Sequence, residues 1–150
     1  MSLSTDSRTT IPAPVRFAEG AWLTAIAAGA AEALVRLAMP DPPTGSELGA
    51  RFAVYAALVL LVLALRTGRT AVRWVLTLLL GGLGLLSLVV EPASWLLAGG
   101  SVAAFLGDAD ALMWVVVLVR GLHIGAVLTA LVAMYRPAAN AFFRTAAPAS

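Results

Sequence analysis

The chain alternates long apolar runs with short polar breaks. A polar leader over residues 1–14, containing Pro12 and Pro14, gives way to an apolar run from Val15 to Met39. That run stops at Pro40-Asp41-Pro42-Pro43-Thr44-Gly45, whose prolines cannot continue a helix. A second run extends from Leu48 to Leu65 and carries no charge from Val54 onward. Arg66-Thr67-Gly68-Arg69-Thr70-Ala71-Val72-Arg73 then forms a short basic connection, of the length that makes its flanking helices antiparallel neighbours. The third run, Trp74 to Ala98, contains Glu91-Pro92, where the missing proline N–H leaves the Leu88 carbonyl unpaired and predicts a bend. Small residues fill Gly99 to Asp110, with a short surface turn of helix expected over Val102 to Leu106. The fourth run, Ala111 to Tyr135, ends at Arg136-Pro137, and an amphipathic or frayed tail follows to Ser150.

About 20 mostly apolar residues cross the roughly 30 Å hydrocarbon core of a bilayer, and all four runs meet that length. The pattern predicts an all-α, integral-membrane, antiparallel four-helix bundle forming one domain over residues 1–150, with no internal repeat. Composition agrees: 61% of the 150 residues are hydrophobic and 12% charged, and the mean hydropathy of +0.93 excludes a water-soluble fold.

Several chemistries drop out at this point. The absence of cysteine removes disulfides, thiolate nucleophiles and iron–sulfur ligation. A single histidine, His123, cannot build a bis-histidine haem site or an imidazole-based zinc site, so neither metal nor cofactor is expected. The formal charge of +2 comes from ten arginines scattered among apolar runs. They form no basic stripe with interleaved aromatics, so nucleic acid is not an expected partner.

Arginine placement predicts direction, because basic loops stay in the cytoplasm. Arg8 and Arg16 precede the first run, Arg66, Arg69 and Arg73 join the second and third, and Arg136 and Arg144 follow the fourth, while the other two loops carry none. Both termini are expected in the cytoplasm of a bacterium, with the protein multi-pass in its inner membrane. Trp74 and Tyr135 then fall at the inner interface and Trp95 and Trp114 at the outer one. A cleaved signal peptide is disfavoured, since Glu19 interrupts the first apolar run too early.

Ionisable groups at hydrocarbon depth are costly and mark pairing or function. At about 1.5 Å per residue, Glu32, Glu91 and Arg120 each lie about 10–13 Å below the outer ends of their helices, in one layer. Arg36 and Arg51 are shallower, about 4–6 Å in, where they can snorkel towards headgroups with Glu47 or Asp41 as partners. Ala25, Gly29, Glu32 and Arg36 share one face of the first helix, with Glu32 and Arg36 at the i,i+4 spacing of a helical ion pair. Thr77, Gly84 and Glu91 recur every seven residues, and Gly121-x-x-x-Gly125 is a small-residue packing stripe beside Arg120 and His123. Arg51 and Tyr55 form the matching face of the second helix. Glu19 is expected off the cluster face, as an interfacial charge near Arg16.

The candidate ligand or proton site is therefore Glu32, Arg36, Arg51, Tyr55, Glu91, Arg120 and His123, a pocket opening to the outside with a formal charge of +1. Its acids and His123 are candidate proton carriers, and two acids beside one deep arginine single out Glu91 for proton exchange. Binding or transport of a small polar or anionic solute, coupled or uncoupled to protons, fits this set best. One alternative is a membrane enzyme using a carboxyl group on a lipid-like or isoprenoid substrate; another is an accessory subunit whose charges only pair. Expected partners are membrane lipid, a small polar or lipid-like ligand and a second copy of the chain.

The opening Val15-Arg16-Phe17-Ala18-Glu19-Gly20-Ala21-Trp22, the ending Tyr135-Arg136-Pro137-Ala138-Ala139-Asn140-Ala141-Phe142-Phe143-Arg144 and the lysine-free, Ala/Leu/Arg-rich text between them have a family flavour. In style the chain resembles small uncharacterised four-helix membrane proteins of high-GC bacteria. The resemblance implies the bundle and no activity. It does not extend to vitamin K epoxide reductase-like enzymes, which need cysteines.

The topology is directly testable in intact cells. Single cysteines at Thr44 and Thr70 should react with an impermeant reagent from outside and only after lysis, respectively. Labelling at Thr70 in intact cells would overturn the arrangement.

Overall fold

The computed structural model describes residues 10–145. These residues form helices α1 (Ala13–Val35), α2 (Gly45–Leu63), α3 (Thr70–Leu76), α4 (Leu85–Leu97), α5 (Val102–Asp108), α6 (Ala111–Met134) and α7 (Pro137–Thr145). A π-helical segment, Thr77–Gly84, joins α3 to α4, so Thr70–Leu97 runs as one long helix. Four helices are long and apolar enough to cross a membrane: Ala13–Ala38, Gly45–Thr67, Thr70–Leu97 and Ala111–Met134.

Local chemistry sets the helix ends. Pro14 stands in the first turn of α1, where a missing N–H costs nothing. Thr44 and Glu47 form a capping box on α2: the Glu47 N–H donates to Thr44 Oγ1 at 3.3 Å, and the Thr44 N–H donates to Glu47 Oε2 at 2.8 Å. Asp110 caps α6 by accepting from the Met113 N–H at 2.8 Å. Gly68 ends the turn between α2 and α3 at φ 69°, a left-handed conformation that favours glycine.

The central pair is α1 and α6, whose buried alanines (Ala18, Ala25, Ala28 and Ala33 against Ala126, Ala130 and Ala133) bring the two backbones close. Helix α2 packs on α1, and the π segment and α4 pack on α6. Helix α2 meets the third long helix at α3, beside their connecting turn. The core sits at that same end, filled by Trp22, Val62, Leu65, Leu76, Val127 and Met134. We call it the basic end, because Arg16, Arg66, Arg69, Arg73, Arg136 and Arg144 cluster there.

Helix α7 folds back over the basic end, burying Ala139 and Phe143. The Arg73 guanidinium lies 3.9 Å from the centre of the Tyr135 ring, a cation–π contact, while the Thr70 hydroxyl donates to the Phe143 carbonyl at 2.9 Å. The Thr77 and Tyr135 hydroxyls share a hydrogen bond of 2.9 Å.

Three details depart from the sequence expectations. The helical assignment runs on through Pro92, and a stretch of π geometry that the sequence reading did not anticipate lies at Thr77–Gly84, where Gly81 admits Leu131 of α6 against the backbone. Gly121 and Gly125 meet no neighbouring atoms within the chain and lie on its surface, so this stripe does not pack helices here. Glu19 is buried and partnered by Arg66 rather than Arg16. Arg66 Nη2 and Nε donate to its Oε1 and Oε2 at 2.7 and 3.0 Å, a two-pronged arginine–carboxylate pair.

Removing Arg66 strands a buried carboxylate, whereas Arg69 makes no ion pair among the described residues. Arg66→Ala should lower the melting temperature in detergent by about 5 °C or more, with Arg69→Ala near wild type. Adding Glu19→Gln to Arg66→Ala should recover part of the loss. Equal melting temperatures for the two arginine variants would refute the pairing.

Candidate functional site

Away from the basic end the core thins, and four charged side chains from three helices close a ring. Glu32 lies one turn before the end of α1, and Arg36 opens the 3₁₀ turn that continues it. Glu91 comes from α4 and Arg120 from the middle of α6. Arg120 Nη2 donates to Glu32 Oε1 at 2.6 Å and to Glu91 Oε2 at 2.8 Å. Arg36 Nη2 donates to the same two oxygens, each at 3.2 Å. Two acids and two bases thus alternate, every ion touching two of opposite sign.

The ring has a buried side and an open one. Glu32 is buried and Arg120 nearly so, while the Glu91 side chain is 60% exposed. Arg36 belongs to the ring rather than to a separate shallow layer, because the 3₁₀ turn and the i,i+4 spacing carry its guanidinium back beside Glu32. This balances the two acids, so the premise of a surplus carboxyl at Glu91 does not hold.

A cavity of about 730 Å³ lies against the ring, bounded by α1, α2, the third long helix and α6. Its polar wall includes all seven candidate residues: Glu32, Arg36, Arg51, Tyr55, Glu91, Arg120 and His123. Gly29 is needed here for space, since a Cβ on it would lie 3.1 Å from His123 Cε1 and 3.2 Å from the Tyr55 hydroxyl. Its absence brings a phenol from α2 and an imidazole from α6 onto the face of α1. His123 Nδ1 and Arg120 Nε are buried without a hydrogen-bond partner. Arg51 lines the cavity and makes no ion pair among the described residues.

Charge in this cavity therefore reduces to one group. The ring is neutral as a set, which leaves the exposed Arg51 guanidinium outside any ion pair among the described residues, with Tyr55 one turn further along α2 and the capping carboxylate of Glu47 one turn back. On the far side of the ring, Arg36, Glu91 and Arg120 also border a more apolar groove of about 670 Å³ with Trp95, Phe105 and Met113. The ring is a partition between two spaces of different polarity.

Ser87 also lines the cavity and did not emerge from the sequence pattern. Its i,i+4 relation to Glu91 was the available signal. The rim residues Val54, Leu79 and Leu83 carried no sequence signal, since apolar residues abound in every span. Comparison with protein families, with curated proteins and with solved structures finds no match to this chain. The geometry is the ground for any functional reading.

Deleting Arg120 leaves two carboxylates sharing the single guanidinium of Arg36, a net charge at a site where breaking a buried pair costs up to about 3–5 kcal/mol. Arg120→Ala should accordingly lower thermal stability in detergent far more than Arg144→Ala at the basic end. Similar melting temperatures for the two variants would show that Arg120 holds no buried partners.

Proposed function

We propose that this chain is a multi-pass protein of a bacterial cytoplasmic membrane, with both termini inside, that binds or transports a small anionic solute. The four long apolar helices support insertion, and the cluster of arginines supports a cytoplasmic basic end. The cavity then opens towards the outer half of the bilayer. Trp22, Val62, Leu76 and Val127 fill the space between it and the cytoplasm.

One observation carries the reading: in a cavity whose other charges cancel, Arg51 is left over. Arg51 stands on the exposed side of the cavity, six residues into α2, and an anion supplied from outside the chain would give its guanidinium the ion-pair partner that no described residue provides. The Tyr55 hydroxyl can donate to such an anion, and His123 Nδ1 can donate once protonated or in the matching tautomer. The acids favour this reading over carboxyl catalysis, since each accepts from two guanidiniums and is committed to the ring. A purely structural role would need neither Arg51 nor the cavity beside it.

The test is thermal unfolding of purified protein in a neutral detergent with sodium phosphate, sulfate or acetate, against chloride at equal ionic strength. A ligand at one hundred times its Kd stabilises by about 2.7 kcal/mol, a shift of several degrees. At least one oxyanion should raise the melting temperature of wild type and leave Arg51→Gln unmoved. No shift with any of the three, or a shift that Arg51→Gln retains, would overturn the proposal.

A further inference from the structure

The anion site has a side opening, and its position bears on what kind of anion fits. Helix α2 and the third long helix leave their shared turn at Gly68 together, packing where α2 faces α3. Beyond that their main packing is with different partners, α2 on α1 and α4 on α6, and the two line opposite sides of the cavity. The wall of the cavity on this side is made of Val54 and Leu58 from α2 and Leu79, Leu83 and Ser87 from the third helix. Val54 and Leu83 are largely exposed.

Depth gives the gap its meaning. Val54 is nine residues into α2, about 14 Å from its start, and Leu83 is fourteen residues before the end of α4, about 21 Å from it. Both lie well within the roughly 30 Å hydrocarbon layer that these helices are long enough to cross. An opening at that depth, rimmed by valine and leucine, faces acyl chains rather than water. Behind the rim, within the same cavity, stand Arg51, Tyr55, His123 and the charged ring.

Resting on the anion-site reading above, we infer that the ligand is an anionic amphiphile that enters sideways from the bilayer. Its headgroup pairs with Arg51, and its chain leaves through the gap between α2 and the third long helix, past Leu79 and Leu83. The charge of the headgroup answers the guanidinium that stands outside any ion pair among the described residues. The chain supplies apolar cover at the opening between these two helices. A water-soluble anion would satisfy the guanidinium and leave that gap unfilled.

Two probes separate this inference from the broader one: dodecyl phosphate and inorganic phosphate, each titrated by native mass spectrometry into full-length protein in a neutral detergent. Dodecyl phosphate should bind more tightly by about tenfold or more, equivalent to about 1.4 kcal/mol, and Arg51→Gln should abolish its binding. Because the chain has no cysteine of its own, Val54→Cys and Leu83→Cys can be bridged by a flexible bis-maleimide to close the gap. The bridged protein should lose dodecyl phosphate and keep inorganic phosphate. Equal affinity for the two probes, or dodecyl phosphate binding that survives the bridge, would refute lateral access and leave the anion site standing. Dodecyl phosphate binding that Arg51→Gln does not weaken would place the amphiphile elsewhere and overturn the inference. Binding of neither probe would defeat this inference and the anion site together.

Discussion

A charge carried on a long apolar helix is best placed beside an opposite charge, and in this chain four charges find one another. Glu32, Arg36, Glu91 and Arg120 form a closed ring in which every contact is between ions of opposite sign. The members come from α1 with its 3₁₀ extension, α4 and α6, so satisfying the charges fixes the relative depth of three helices. Apolar faces alone give little such registry in lipid, where one leucine contact resembles another. The close approach of α1 and α6 through their alanines makes the ring reachable, because a shared arginine Nη2 can span two carboxylates only if the helices behind them are near.

The two ends of the bundle are built differently. At the basic end, large side chains fill the interior, the Glu19–Arg66 pair ties α1 to the end of α2, and α7 is held by the Thr70 hydroxyl on the Phe143 carbonyl and by Arg73 over the Phe143 ring. Beyond the core, space replaces side chains, and the ring divides it into a polar cavity and a more apolar groove. Gly29 lets Tyr55 and His123 lie close against α1, where an added Cβ would press on both at 3.1–3.2 Å. Function is proposed where packing is incomplete, at the position where Arg51 makes no ion pair among the described residues.

Much of this was legible in the sequence. Run length and hydropathy yield the four long helices, and the constant rise of a helix is enough to put Glu32, Glu91 and Arg120 at one depth. Other features depend on which helices become neighbours, and neighbours are not encoded locally. Glu19 pairs with Arg66, 47 residues away, instead of with nearby Arg16. Arg36 joins the ring because a 3₁₀ turn follows α1, although its shallow position suggested a side chain reaching for headgroups. The π segment at Thr77–Gly84 escapes a periodicity argument, since its glycines also fit an ordinary packing seam. The opening between α2 and the third long helix comes from each packing mainly on a different partner, and apolar positions along each helix carry no mark of it.

The central claim is that the ring is one interacting unit, and a double-mutant cycle on Glu32 and Arg120 measures this most directly. Stabilities of wild type, Glu32→Gln, Arg120→Met and the double variant in one detergent yield the coupling free of either residue's separate packing. The account predicts that the double variant is more stable than the two single losses summed, with a coupling of about 2 kcal/mol or more. Strictly additive losses would contradict it, because two ions in a shared ring cannot be removed independently.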